Sequence, residues 1–288
     1  MILEGRNAII TGASQGLGAV IAQHYLAAGA SLLLCARSKE AVETVAHDLA
    51  KQAVEGQHIH VMTADVSKPD EVDALITKGL TTFTKVDILV NNAGIYGPFG
   101  LIEEIDWEKW VEAININLLG TVYPCRAMLP AMKARGYGKI VNISGGGATN
   151  PMPRVSAYAA SKAAVVRFTE TLALETKPFN IDVNAVAPGA LATRMTDQLL
   201  EAGPEVVGSD FHSRMEKVKM EGGTPLSKGA DLAVWLASDQ SDGISGKLIS
   251  AVWDPWPELD KHRDELMSTD IYALRRIVPK ERGKDWGG

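Results

Sequence analysis

"NAIITGASQGLGAVIAQHYLAAGASLLLCARS", residues 7–38, is the stretch on which the fold turns. A mostly apolar run at 7–11 leads into Gly12, Gly16 and Gly18, then an amphipathic segment over 17–28, then a second apolar run at 31–36. A short, continuously apolar run bounded by glycine suits a strand covered on both faces. Strand, glycine turn, helix and strand together make one βαβ unit. Glycine lets the turn bend tightly and approach a pyrophosphate, which the free N–H groups at the helix start then hold. The spacing points to a dinucleotide.

The same rhythm runs along the chain. Apolar runs at 58–64, 86–91, 139–144, 181–187 and 247–252 read as strands, and segments 39–52, 69–82, 107–135 and 157–177 read as helices. The alternation predicts an α/β fold: one doubly wound, mostly parallel, Rossmann-like sheet flanked by helices. The boundaries expected are a dinucleotide-binding domain over 1–252 and an appended tail over 253–288. Within the domain, the irregular 189–228 segment reads as a lid over the substrate. In the tail, Trp253, Pro255 and Trp256 suggest packing onto the domain or a neighbouring subunit. A second reading has the tail covering the cleft, with Arg275, Arg276, Lys280, Arg282 and Lys284 facing an anionic substrate.

Composition excludes several function classes. Of the 288 residues 46% are apolar and 22% charged, as in ordinary globular proteins, and the net charge of −6 offers no attraction for nucleic acid or anionic lipid. No apolar run approaches the roughly 18 residues that span a membrane. The start, "MILEGRNAIITG", lacks the pattern of a secretory signal, so a cytoplasmic location is expected. Two cysteines, Cys35 and Cys125, make neither a disulfide framework nor a zinc cluster, and the six histidines lack ligand spacing; no metal is expected.

The end of the second predicted strand addresses the nucleotide. An acid there would bind the adenosine ribose hydroxyls and repel a 2′-phosphate, whereas an arginine would accept it. The sequence reads "LLLCARSKE": Ala36 takes the acid's position, with Arg37 and Ser38 next. NADP(H) is expected over NAD(H).

"TGASQGLG" (11–18), "NNAG" (91–94), "NINLLGT" (115–121), "YAASK" (158–162) and "APGALAT" (187–193) stand in an order and spacing that resembles the short-chain dehydrogenase/reductase family over roughly residues 5–250. The resemblance implies that Gly12, Ser14, Gln15, Gly16 and Leu17 cradle the pyrophosphate. Asp65 and Val66 would meet the adenine, and Asn92, Ala93 and Gly94 would line the adenosine side. Pro188, Gly189 and Thr193 would face the nicotinamide. Tyr158 resembles the family's acid/base and Lys162 its partner, one helical turn on and so on the same face; a lysine charge there would lower the phenol's pKa. Asn117 matches the asparagine that anchors a water behind Lys162. The implied reaction is hydride transfer between NADP(H) and a small-molecule secondary alcohol or ketone, in a homodimer or homotetramer.

One family feature is missing. The carbonyl-orienting serine usually stands thirteen residues before the tyrosine, which here is Gly145. Either a shift through Gly145, Gly146 and Gly147 presents Ser144 instead, or backbone N–H groups of the glycine run take the role. A different class also fits: a catalytically weakened protein that binds NADP(H) as a sensor or structural element.

Overall fold

The computed structural model describes residues 1–286. Its central strands explain why the sequence runs are apolar throughout. Successive residues point to opposite faces, and both faces are covered: Ile9, Leu33, Leu89 and Ile140 lie in one core, Ile10, Leu34, Val90 and Val141 in the other. Among the described residues there are seven strands: β1 (Asn7–Thr11), β2 (Ser31–Ala36), β3 (Ile59–Thr63), β4 (Ile88–Asn91), β5 (Gly138–Ile143), β6 (Ile181–Ala187) and β7 (Leu248–Ser250). They form one sheet in the order β3-β2-β1-β4-β5-β6-β7, parallel throughout. The order reverses between β1 and β4, which opens a crevice at their C-terminal ends.

Helices α1 (Gly16–Ala27), α2 (Lys39–Ala50), α3 (Pro69–Phe83), α4 (Trp107–Ile114), α5 (Gly120–Arg135) and α6 (Ser156–Thr176) follow the strands. Beyond β6 come α7 (Arg194–Ala202), α8 (Pro204–Val207), α9 (Ser209–Glu221), α10 (Leu226–Ala237) and, in the tail, α11 (Arg263–Ser268). Helices α1 and α10 cover the Ile10 face, tied by the Tyr25 hydroxyl donating to the Ala233 carbonyl at 2.8 Å. Leu75 and Ile76 of α3 and Met128 and Met132 of α5 cover the other.

The segment expected as one helix over 107–135 is interrupted. A π-turn over Asn115–Leu119 joins α4 to α5. Such a turn replaces i→i+4 bonds with i→i+5 bonds, and it is frequent at functional sites. It carries Asn117.

The 189–228 segment forms helices α7, α8 and α9, and its two ends are clasped. Leu191 bridges Gly223, and the Thr224 amide donates to the Ala190 carbonyl at 2.8 Å. Leu199, Val207 and Met215 make a separate small core, against which Tyr96, Phe99 and Phe211 pack.

The tail reads differently from expectation in two respects; of the 253–288 range, its last two positions lie outside the described residues. Trp256 packs 6.1 Å from Trp235, and Leu259 and Leu266 are buried, but Trp253 is 85% exposed and holds nothing down. The chain then runs along the open edge of the sheet, where the Leu248 amide donates to the Tyr272 carbonyl at 2.8 Å. Lys247 donates to the carbonyls of Thr269 and Ile271, and the Leu274 amide donates to Glu170 of α6. This covers an edge that would otherwise offer unpaired backbone groups to another chain. Arg275 does not form part of a free basic cluster, since it pairs with Asp270 and Glu281 within the tail.

Candidate active site

The crevice is built first by a brace between the turns after β1 and β4. Thr11 Oγ1 accepts from the amides of Asn92 and Ala93, at 3.1 and 3.3 Å. Asn92 Nδ2 donates to the carbonyls of Thr11 and Gly12, at 3.0 and 3.1 Å. Gly18 permits the contact: a Cβ there would stand 2.2 Å from the Gly12 carbonyl oxygen and 2.4 Å from Asn92 Nδ2. The Asn92 side chain is therefore occupied in holding the glycine loop, and what lines the crevice at this point is the 92–94 backbone.

Gly12 and Gly16 both adopt positive φ, at 65° and 55°. Helix α1 then begins with no side-chain cap and no acid in its first turn, so its leading N–H groups face the crevice unneutralised. Ser14 is half-buried, Gln15 is exposed, and Leu17 turns into the core. Leu17 and Pro188 meet over Gly229, and Thr193 Cγ2 lies 3.7 Å from where a Cβ at Gly16 would stand. The loop carrying Pro188, Gly189 and Thr193 thus closes over the glycine turn. Its Thr193 caps α7.

On the adenosine side, Ala36 is buried at the end of β2 while Arg37 and Ser38 are exposed. The Ser38 hydroxyl accepts from the Ala41 amide at 3.4 Å as the cap of α2, leaving its proton free to donate. Asp65 Oδ1 accepts from the Ser67 amide and hydroxyl, at 2.9 and 2.8 Å, which leaves the second carboxylate oxygen available. Val66 is buried against Gly120. These features fit a dinucleotide with its adenosine end at β2–β3 and its other end at β5.

At that other end stand Tyr158 and Lys162 of α6, with Lys162 Nζ 5.7 Å from the Tyr158 ring centre. Lys162 is buried and donates to the Ile143 carbonyl at 2.8 Å. Asn117 is fully buried: its Oδ1 accepts from the Ile95 amide, and its Nδ2 donates to the Ile95 carbonyl and the Ser161 hydroxyl. Asn117 and Lys162 converge on Gly94, where a Cβ would lie 3.2 Å from Asn117 Oδ1 and 3.4 Å from Lys162 Nζ. Three residues far apart in sequence meet on one side of the crevice.

The lowered phenol expected beside Lys162 is not what the structure shows. Burial, and secondarily Tyr96, raise the Tyr158 pKa above the ordinary value. The reason is geometric: Lys162 directs its ammonium to the Ile143 carbonyl, and desolvation outweighs its charge at the ring. Burial acts on Lys162 as well, pushing it down to about 8. A lysine depressed in the fold stabilises it fully above its unfolded value of about 10.4, and that contribution is lost as pH falls through about 8. In calorimetry without added nucleotide, the Tm of the wild type should therefore climb from pH 7.5 to about 9.5 relative to Lys162→Met. Parallel pH profiles would show that Lys162 is not desolvated.

Ser144 does not reach the site. The residue is 2% exposed and its hydroxyl donates to the Lys162 carbonyl at 3.4 Å. Adjacent residues at a strand end point oppositely, so a shift of one position turns the hydroxyl away. Gly145 is what faces Tyr158, and a Cβ there would stand 2.2 Å from the phenol oxygen. Sequence reasoning missed Tyr96, two residues after the "NNAG" turn, whose ring centre lies 4.9 Å from that of Tyr158. It passes over the bracing roles of Thr11 and Gly18 too, although Gly18 is visible in the glycine spacing.

Glycine loop, uncapped helix start and buried Tyr–Lys pair at one switch point define a dinucleotide-dependent oxidoreductase of the doubly wound class. Residues 6–203 match the short chain dehydrogenase family. The chain is 38% identical to the 3β-hydroxysteroid dehydrogenase 1 of Eggerthella lenta, covering 85% of this chain and 91% of that one. It is 34% identical to the 3-oxoacyl-(acyl-carrier-protein) reductase of Chlamydia trachomatis, covering 86% and 96%. Among solved structures, an NAD+-bound xylitol dehydrogenase superposes with a TM-score of 0.77 at 26% identity, over 87% of this chain and 98% of the other. This chain belongs to the short-chain dehydrogenase/reductase family, whose members act on CH–OH and C=O groups with a nicotinamide cofactor.

Proposed function

We propose that this protein is an NADP(H)-dependent reductase that interconverts a ketone and a secondary alcohol, with Tyr158 as the acid/base. The observation that carries the reading is the convergence of Tyr158, Lys162 and Asn117 beside the braced glycine loop. Bound NADPH supplies the hydride. Tyr158, kept protonated by burial, gives its proton to the carbonyl oxygen, and Lys162 and Asn117 hold the route by which that proton is replaced. The glycine turn and the α1 start hold the pyrophosphate; Asp65, Val66 and the 92–94 backbone hold the adenosine; Pro188, Gly189 and Thr193 hold the nicotinamide.

An apolar ketone is favoured because the lid packs its apolar core against Tyr96 and Phe99, which follow β4 beside Tyr158. The relatives' names suggest two ketones for the panel, a 3-oxosteroid and a 3-oxoacyl ester, and the apolar surroundings of Tyr96 add a third, an apolar cyclic ketone. Cytoplasmic location and a homo-oligomer belong to the same reading; no described helix is long and apolar enough to cross a membrane. The test is NADPH oxidation with each ketone in turn. Turnover that depends on the ketone supports the reading, while tight NADPH binding with no turnover favours the sensor.

Preference for NADP(H) rests on Ala36, buried where an acid would stand, and on the exposed Arg37. One charge-assisted hydrogen bond to phosphate contributes about 1.5–3 kcal/mol. Arg37→Ala should therefore weaken NADPH binding by roughly 10–100-fold and leave NADH binding unchanged, as read by titration calorimetry. Equal losses for both nucleotides would overturn the phosphate assignment.

A further inference from the structure

We propose that Tyr96 donates the second hydrogen bond to the substrate's carbonyl oxygen, the task for which Gly145 has no side chain. The inference rests on the carbonyl-reductase reading above. Tyr96 leaves the β4 turn two residues beyond Gly94 and lays its ring across that of Tyr158, centre to centre 4.9 Å at a 59° tilt. Neither hydroxyl has a partner among the described residues. Neither is among the sealed polar atoms left without one, which belong to Asn91, Tyr137, Glu170 and Arg263. Both hydroxyls are therefore unpartnered yet not sealed from solvent, and their rings lie side by side.

The surroundings suit a donor rather than a base. Tyr96 packs against Phe99, 5.5 Å away centre to centre, and against the lid core of Leu199, Val207 and Met215. Burial raises its pKa, which keeps the phenol neutral and able to donate. The other hydroxyls near the strand end are turned elsewhere: Ser144 to the Lys162 carbonyl, Ser156 to the Trp110 ring N–H, and Thr149 to Asn150. Tyr96 keeps its own proton throughout. Hydride from NADPH reaches the carbonyl carbon, the Tyr158 proton reaches the oxygen, and alcohol and NADP+ leave. Tyr96 stabilises the charge that develops on that oxygen, which requires only a fixed donor in a dry site.

The experiment compares wild type, Tyr96→Phe and Tyr158→Phe with NADPH and the ketone of the panel above that wild type turns over fastest. Tyr96→Phe retains the ring and its packing, so Tm and NADPH affinity should hold. Its plateau kcat/KM, where the rate no longer varies with pH, should fall about 10²–10³-fold, the loss typical of one such donor. A plateau within threefold of wild type overturns the inference, as does a change confined to the position of the pH limb, because shielding of Tyr158 alone would produce that. Turnover that is lost in Tyr158→Phe but kept in Tyr96→Phe sinks the inference alone, leaving the backbone N–H groups of the glycine run as donors. No turnover by the wild type on any of the three ketones overturns the parent reading and this inference with it.

Discussion

Tyr158→Phe is expected to lower ketone-dependent NADPH oxidation by about 10²–10⁴-fold, the usual contribution of a positioned acid/base. Affinity for NADPH and Tm should stay near those of the wild type. The separation follows from what the hydroxyl touches. It has no hydrogen-bond partner among the described residues, whereas the ring packs against Tyr96 and lies beside Lys162. Phenylalanine keeps those contacts and leaves no buried partner unsatisfied, so stability should change by less than about 0.5 kcal/mol. Burial holds the phenol protonated at neutral pH, so the substitution removes the proton that Tyr158 would give. Stopped-flow and steady-state assays with wild type and variant at matched NADPH saturation check it. A variant that keeps a tenth or more of the wild-type turnover would mean that the proton comes from elsewhere.

Gly145→Ala should be nearly as damaging, by steric means alone. The added Cβ would stand 2.2 Å from the Tyr158 oxygen, far inside contact distance, with the ring's Cζ atom next at 3.1 Å. The phenol must retreat by an ångström or more, and misplacement on that scale slows the reaction about 10²-fold. Gly145 itself has φ 179° and ψ 176°, an extended backbone that alanine also adopts, so the fold should survive. The expected signature is turnover slowed by about that factor or more, with NADPH binding retained. Gly145→Ser, which restores the family's usual residue, should fail for the same reason. Restored or increased activity in the serine variant would show that Tyr158 yields easily, and that glycine at this position is a loss rather than a fit.

These two positions mark how much of the site is legible in the sequence. Tyr158 and Lys162 sit one turn apart on α6, and a helix places such a pair on one face whatever surrounds it. Gly12, Gly16 and Gly18 follow a strand and open a helix, so their role also follows from local spacing. Ser144 and Gly145 are ambiguous in the sequence because which of two neighbours faces the cleft depends on the exit angle of β5, and packing sets that angle. The motif assigns Asn92 to the adenosine side, yet its side chain braces Thr11 and Gly12 across the sheet. The tail offers apolar and aromatic residues with no indication that Trp256 docks while Trp253 stays in solvent.

What the sequence determined by itself was what short-range periodicity and glycine spacing carry: the parallel sheet, the helices between its strands and the dinucleotide turn, with the five ordered motifs adding the family resemblance. Continuous apolar runs admit few arrangements other than strands covered on both faces, and glycine at a strand–helix turn admits backbone approach that other residues block. Tertiary structure alone decided the rest. It brought Tyr96 to Tyr158 from a different strand end, placed Asn117 on a π-turn in mid-helix, and set Lys162 on the Ile143 carbonyl. Desolvation then raised the phenol and lowered the lysine, a reversal of what charge spacing alone implies. Contacts between residues distant in sequence, and the water they exclude, depend on how the layers pack; no local pattern encodes them.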